Sequence, residues 1–201
     1  MRDENTRDRI YVVMAATLLL WGSPALAHIE GGQAAGFLTG LGHPWSGFDH
    51  VLAMIAVGLW GAQLGNPANW LLPVTFPMVM SLGALLGLLG IPLPGVEIGI
   101  ACSAILLGAM VLGELRPRLI AAALLVGFFA IFHGHAHGTE LPPGQSGLLY
   151  SMGFVIATGI LHGLGIALGL IQRWPGGQLV LRGAGAVIAV AGMTFLWRAL
   201  W

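Results

Sequence analysis

Two short stretches concentrate the side chains able to ligate a metal. The first, His43-Pro44-Trp45-Ser46-Gly47-Phe48-Asp49-His50, sets two imidazoles and a carboxylate within eight residues; the second, Phe132-His133-Gly134-His135-Ala136-His137-Gly138-Thr139-Glu140, sets three imidazoles and a carboxylate within nine. Imidazole with carboxylate suits borderline divalent ions such as Ni, Co, Zn or Cu rather than Mg or Ca. Pro44 is at home in the first turn of a helix, where its missing N–H costs nothing. A helix running on from there would put positions 43, 47, 50 and 54 on one face, with Gly47 leaving room between His43 and His50 and Met54 one turn deeper. Asp49 then points about 100° away, where it could ligate only from a distorted helix end or could orient a ligating imidazole through a hydrogen bond. His133 and His137, spaced i, i+4, share a helical face; Glu140 lies near it, and His135 points elsewhere.

These stretches belong to a chain with the composition of a bilayer protein. Of 201 residues, 57% are hydrophobic, 8% are charged and 32 are glycine. The formal net charge is zero and lysine is absent, which leaves no basic field for nucleic acid and no Walker loop for ATP-driven work. Apolar spans at about 44–64, 69–90, 96–113, 118–134, 147–171 and 179–200 are separated by Pro/Gly turns such as Gly65-Asn66-Pro67 and Pro175-Gly176-Gly177. The expected fold is therefore all-α, a polytopic bundle of six transmembrane helices. An Arg-rich start, an apolar stretch at 10–22 and Ser23-Pro24-Ala25-Leu26-Ala27 predict a cleaved signal peptide over 1–27, leaving 28–201 as the membrane domain. The mature chain would open on His28, whose imidazole beside a free amine can chelate a metal.

Arginine placement orients the bundle. With an extracytoplasmic His28, the loops carrying Arg116, Arg118 and Arg173 face the cytoplasm, and the His-rich end faces the periplasm of a bacterial inner membrane. On this reading only His162 lies deep, mid-span in the fifth helix, as a neutral imidazole that is either bonded to a neighbour or part of a path. Glu97 starts the third span at the outer face, as a vestibule carboxylate or a solvated one. Three spans per half would set the halves in opposite orientation. Glycine pairs 83/87, 159/163 and 165/169 let helices approach closely, within one bundle or between copies of it.

The strings HPWSGFDHVLAMIAVGLW and FHGHAHGTE resemble the HupE/UreJ family across the whole mature chain. The resemblance implies a nickel, or in some lineages cobalt, permease working without ATP and supplying hydrogenase or urease, with their maturation proteins as indirect partners. It implies metal ligation by His43, Asp49, His50, His133, His137 and Glu140, and places Glu97 and Phe76 at polar and aromatic positions that the family also uses. No enzymatic role is expected. The Gly144-Gln145-Ser146-Gly147 string resembles a rhomboid-type protease motif, but His162 lies 16 residues along one helix from Ser146, about 24 Å away. The alternative to a permease is a periplasmic-face metal receptor that hands its ion to a partner. Nickel uptake is expected to fall in acid, as protons compete for imidazole lone pairs.

Overall fold

The computed structural model describes residues 33–201; the signal-peptide segment and His28 lie outside the described residues. Among the described residues all regular structure is helical: α1 (Gln33–Gly42), a 3₁₀ turn (His43–Trp45), α2 (Phe48–Leu64), α3 (Ala68–Leu88), α4 (Val96–Leu112), α5 (Leu119–Thr139), α6 (Gly147–Gly169), a second 3₁₀ turn (Leu170–Arg173) and α7 (Gly177–Leu200). Six long helices thus occur where apolar runs predicted them. Four, α3, α5, α7 and α6 with its 3₁₀ extension, are 21 to 27 residues long and apolar enough to cross a bilayer. The α1–α2 pair, bent by 79° at the break before Phe48, makes a fifth candidate, and α4 is a shorter apolar helix.

The outward faces are as apolar as the core. Ile120, Leu124 and Phe128 on α5, and Leu179, Val187 and Trp197 on α7, are all largely exposed at helical spacing. Lipid, rather than water, is the solvent such faces fit. The interior holds Met54, Trp60, Leu72, Phe76, Met80, Leu107, Phe154 and Leu161. Side chains from neighbouring helices satisfy carbonyls at and just beyond the end of short α4: Gln63 donates to the Val111 carbonyl at 3.1 Å, Arg182 to that of Leu112 at 3.1 Å and Trp60 to that of Leu115 at 2.9 Å.

Glycines set which helices touch. A Cβ at Gly134 would strike the Met80 carbonyl oxygen, and one at Gly138 the Ala84 carbonyl, so α5 lies backbone to backbone on α3. Gly58 and Gly165 bring α2 and α6 together in the same way, and Gly108 and Gly185 do so for α4 and α7. Exchanging the chain halves α2–α4 and α5–α7 maps the α3·α5 pairing onto α6·α2 and α4·α7 onto itself, the pairing that two structurally repeated halves produce. Gly159 and Gly163 are not used for packing within this bundle, since nothing lies within 4 Å of either and both face outward. Gly134→Ala is expected to destabilise the detergent-solubilised protein by about 1–3 kcal/mol, the usual cost of overpacking, while Gly159→Ala should leave its thermal midpoint unchanged. Equal midpoints for the two variants would contradict this close contact.

The predicted helix running on from Pro44 is interrupted. His43–Trp45 form a 3₁₀ turn, Gly47 is extended (φ −107°, ψ 112°) and α2 restarts at Phe48, so His43 and His50 do not share one straight face. Helix α1, which packs on α6 through Gly40 against Tyr150 and Gly153 against Phe37, was not anticipated. The predicted outer loop from 135 also differs, because α5 continues to Thr139. His133, His135 and His137 are helical and buried, as is His50, so His162 is not alone in the interior. Gly134 and Gly138, by admitting α3 so closely, are what bury that turn.

Candidate metal centre

The two ligand-bearing stretches converge although 83 residues or more separate them. His43 stands on the 3₁₀ turn, Asp49 and His50 in the first turn of α2, His133 and His137 in the last two turns of α5, and Glu140 just past its end. At the rim, His43 Nε2–H donates to Glu140 Oε2 at 2.7 Å, and His137 Nδ1 lies 4.0 Å from the same oxygen. One potential ligand atom from each of these three residues lies within 4.8 Å of the other two, a spacing that could close on one ion. The hydrogen bond from His43 holds the Glu140 carboxyl below the usual carboxylate range, against the opposing effect of its partial burial.

Inward from this trio the imidazoles form a column. The His137 ring lies 4.9 Å from that of His43 and 4.5 Å from that of His50, and His50 lies 4.8 Å from His133. Phe76 of α3 then touches both His133, at 5.4 Å, and His162, at 5.3 Å. The chain's two halves alternate along the column: His43 and His50 from the first, His137 and His133 from the second, then Phe76 and His162.

Hydrogen bonds select the free nitrogens. Asp49 Oδ1 accepts from both the backbone N–H and the Nδ1–H of His50, at 2.8 and 2.9 Å, which leaves His50 Nε2 buried and without a partner. Asp49 thus does for His50 what its sequence position suggested. Gly47 makes room for this pair, since a Cβ there would sit 2.7 Å from Asp49 Oδ1. Ser103 of α4 gives its only proton to the Ile100 carbonyl at 2.6 Å, so its oxygen can only accept, and His133 Nε2–H donates to it at 2.9 Å. His133 Nδ1 is left with a lone pair and no partner, and His137 has neither nitrogen hydrogen-bonded. Groups that orient ligating imidazoles in this way typically matter 10–100-fold. Ser103→Ala is accordingly expected to weaken metal binding about 10-fold or more, with Ser103→Thr, which retains the hydroxyl, near wild type by isothermal titration. Identical affinities for the Ala and Thr variants would remove this role.

Other predicted residues stand apart. His135 turns away and donates from Nε2 to the Ile91 carbonyl at 2.8 Å, pinning the α3–α4 loop. Glu97 is exposed in the first turn of α4 and is not drawn to the column. His162 is buried on α6, within ring contact of Phe76 alone in the column. Ser103 was not singled out from sequence, because a serine inside an apolar run carries no pattern. Phe154, which packs on His137 at 4.5 Å, precedes His162 by eight residues on the same helical face, a spacing that could have been noticed.

Apolar outward faces around an imidazole-lined interior define a multi-pass helical membrane protein. Residues 16–195 match the HupE / UreJ protein family, and the chain belongs to it. It is 45% identical to Protein HupE of Rhizobium leguminosarum bv. viciae over 187 residues, covering 92% of this chain and 98% of that protein. No solved structure matches.

Proposed function

We propose that this chain is a permease of the bacterial inner membrane for a divalent transition-metal ion, nickel first and cobalt second, which crosses the bilayer six times with its mature N-terminus and metal centre on the periplasmic side. The observation that carries the reading is the imidazole column, which begins at the half-exposed Glu140 and continues to the fully buried His133. Ionisable groups are costly in lipid and are kept there for use. The trio of His43, His137 and Glu140 captures the ion, with Asp49 and His50 next along the path and His133 beyond. Nickel is preferred over other borderline ions because of the family, not the geometry. Without a Walker loop the chain has no ATPase of that type to drive transport itself, and the permease is read as secondary from the family; the metal it admits supplies enzymes such as hydrogenase or urease.

Radioactive nickel uptake into proteoliposomes, with wild type and with His43→Ala, Asp49→Ala and His133→Ala, tests the proposal. Uptake by wild type and its loss in each variant is expected. Binding without internalisation would instead favour a receptor that passes metal to a partner.

Uptake should fall severalfold between pH 7.5 and 5.5. A ligating imidazole must offer an unprotonated nitrogen, so rising proton concentration competes with the ion for the site. Glu140, held below the usual carboxylate range, stays ionised throughout that window and contributes nothing to the loss. A flat profile would show that protons do not compete with the ion for its ligands in that window.

A further inference from the structure

Among the described residues, three of the buried polar atoms without a partner follow the column inward from His133. They are His133 Nδ1, Thr158 Oγ1 and His162 Nε2, on side chains no more than 1% exposed. Buried polar groups are normally hydrogen-bonded, so three orphans on α5 and α6, both of which pack on α3, call for a physical reason.

The cause of His162's orientation lies in another helix. Pro73 and Pro77 both sit inside α3. In an unbroken helix the Pro73 carbonyl would accept from the N–H of residue 77, but proline has none, so that carbonyl is released. His162 supplies the missing donor, with Nδ1 3.2 Å from the Pro73 oxygen. A carbonyl can only accept, so the ring carries its proton on Nδ1, and Nε2 is left with a lone pair inside the bundle. If the need were only to satisfy Pro73, a side chain ending at the donor would serve.

Depth follows from helical rise. Phe154 packs against His137, which fixes the level at which α6 meets α5. The two helices run in opposite directions, so Thr158 lies about 6 Å inward of Phe154, level with His133, and His162 a further 6 Å or so inward on the same face. Phe76, in contact with both His133 and His162, stands at the joint.

We propose that His133 Nδ1, Thr158 Oγ1 and His162 Nε2 form an inner station for the divalent ion, reached after the rim trio and His50. This rests on the permease reading. The set is uncharged: two imidazoles and a hydroxyl, spread over about 6 Å of depth, offer a borderline metal neutral N and O donors in succession, without a carboxylate. Such a site holds its ion weakly, as a point on a conduction path must if the ion is to leave. The station differs from the rim site in its residues, its depth and its lack of charge.

The test separates the structural role of His162 from the ligand role. In His162→Asn the side-chain amide can place an N–H where Nδ1 stands, preserving donation to Pro73, and it has nothing at the position of Nε2. Thr158→Val keeps the shape of the side chain and removes the hydroxyl oxygen. In proteoliposomes, His162→Asn is expected to bind nickel at the rim within about twofold of wild type while its uptake falls at least tenfold. Thr158→Val should lose uptake severalfold with unchanged rim binding. If His162→Asn does not fold, Thr158→Val decides alone. Wild-type uptake in whichever folded variant is assayed would overturn the station and leave the permease standing. Rim binding by wild type with no uptake would overturn the permease, and the station with it.

Discussion

His137→Ala is expected to abolish nickel uptake to within background, a loss of at least 100-fold, while leaving the fold intact. No other imidazole in the column has both nitrogens without a hydrogen bond among the described residues. It also touches the rings on either side, His43 outward and His50 inward. With Nδ1 nearest Glu140, its other nitrogen is available to the next position, so one residue belongs to both capture and onward transfer. Its removal opens both steps at once. A 100-fold loss corresponds to about 2.8 kcal/mol at about 1.4 kcal/mol per tenfold. No hydrogen bond is lost, but the buried ring leaves a cavity against His50 and Phe154 that should cost about 2–4 kcal/mol of stability, so uptake is compared in preparations that remain folded. The check is uptake in proteoliposomes beside the thermal midpoint of the same preparation. Uptake within threefold of wild type would show that the ion does not pass this ring.

Asp49→Ala is expected to have the next largest effect, with uptake down by on the order of 100-fold. Two consequences act together. His50 loses the acceptor that keeps its proton on Nδ1, so its ligating nitrogen is no longer specified. The path also loses negative charge: Asp49 and Glu140 are the carboxylates in contact with the column among the described residues, and Asp49 is the less exposed, at 24% against 51% for its side chain. A divalent ion leaving water for a site of neutral imidazoles needs that charge nearby. Asp49→Asn separates the two effects, since its amide oxygen can still accept from His50 but carries no charge. An intermediate loss, about 10-fold, is expected for it. If Asp49→Asn transports like wild type, charge plays no part and orientation is the whole role.

Much of the fold was legible from local pattern. The apolar runs between Pro/Gly turns gave helices within a few residues of their observed bounds, because in lipid a segment must satisfy its own backbone and helix is the simplest way to do so. The ends were harder. Helix α5 outran its predicted end at 134 because a His-Gly-His-Ala-His-Gly string reads as polar loop, whereas Gly134 and Gly138 in fact let α3 approach and cover it. The α2 helix began later than Pro44 suggested, since Gly47 yields its side chain to the Asp49–His50 pair.

The sequence by itself determined the residue types, the two clusters and the helical frame that carries them. Spacing also suggested that His133 and His137 would share a face and that Asp49 would orient an imidazole. Only the tertiary structure decided that the two clusters meet, that His135 and Glu97 stay outside, and that Ser103 and Phe154 join the column's surroundings. It alone linked Pro77 to His162, by way of a carbonyl on one helix and a ring on another. The physical reason is common to all of these. A helix's own periodicity specifies which side chains share a face, but which nitrogen of a buried imidazole is free depends on acceptors that neighbouring helices supply.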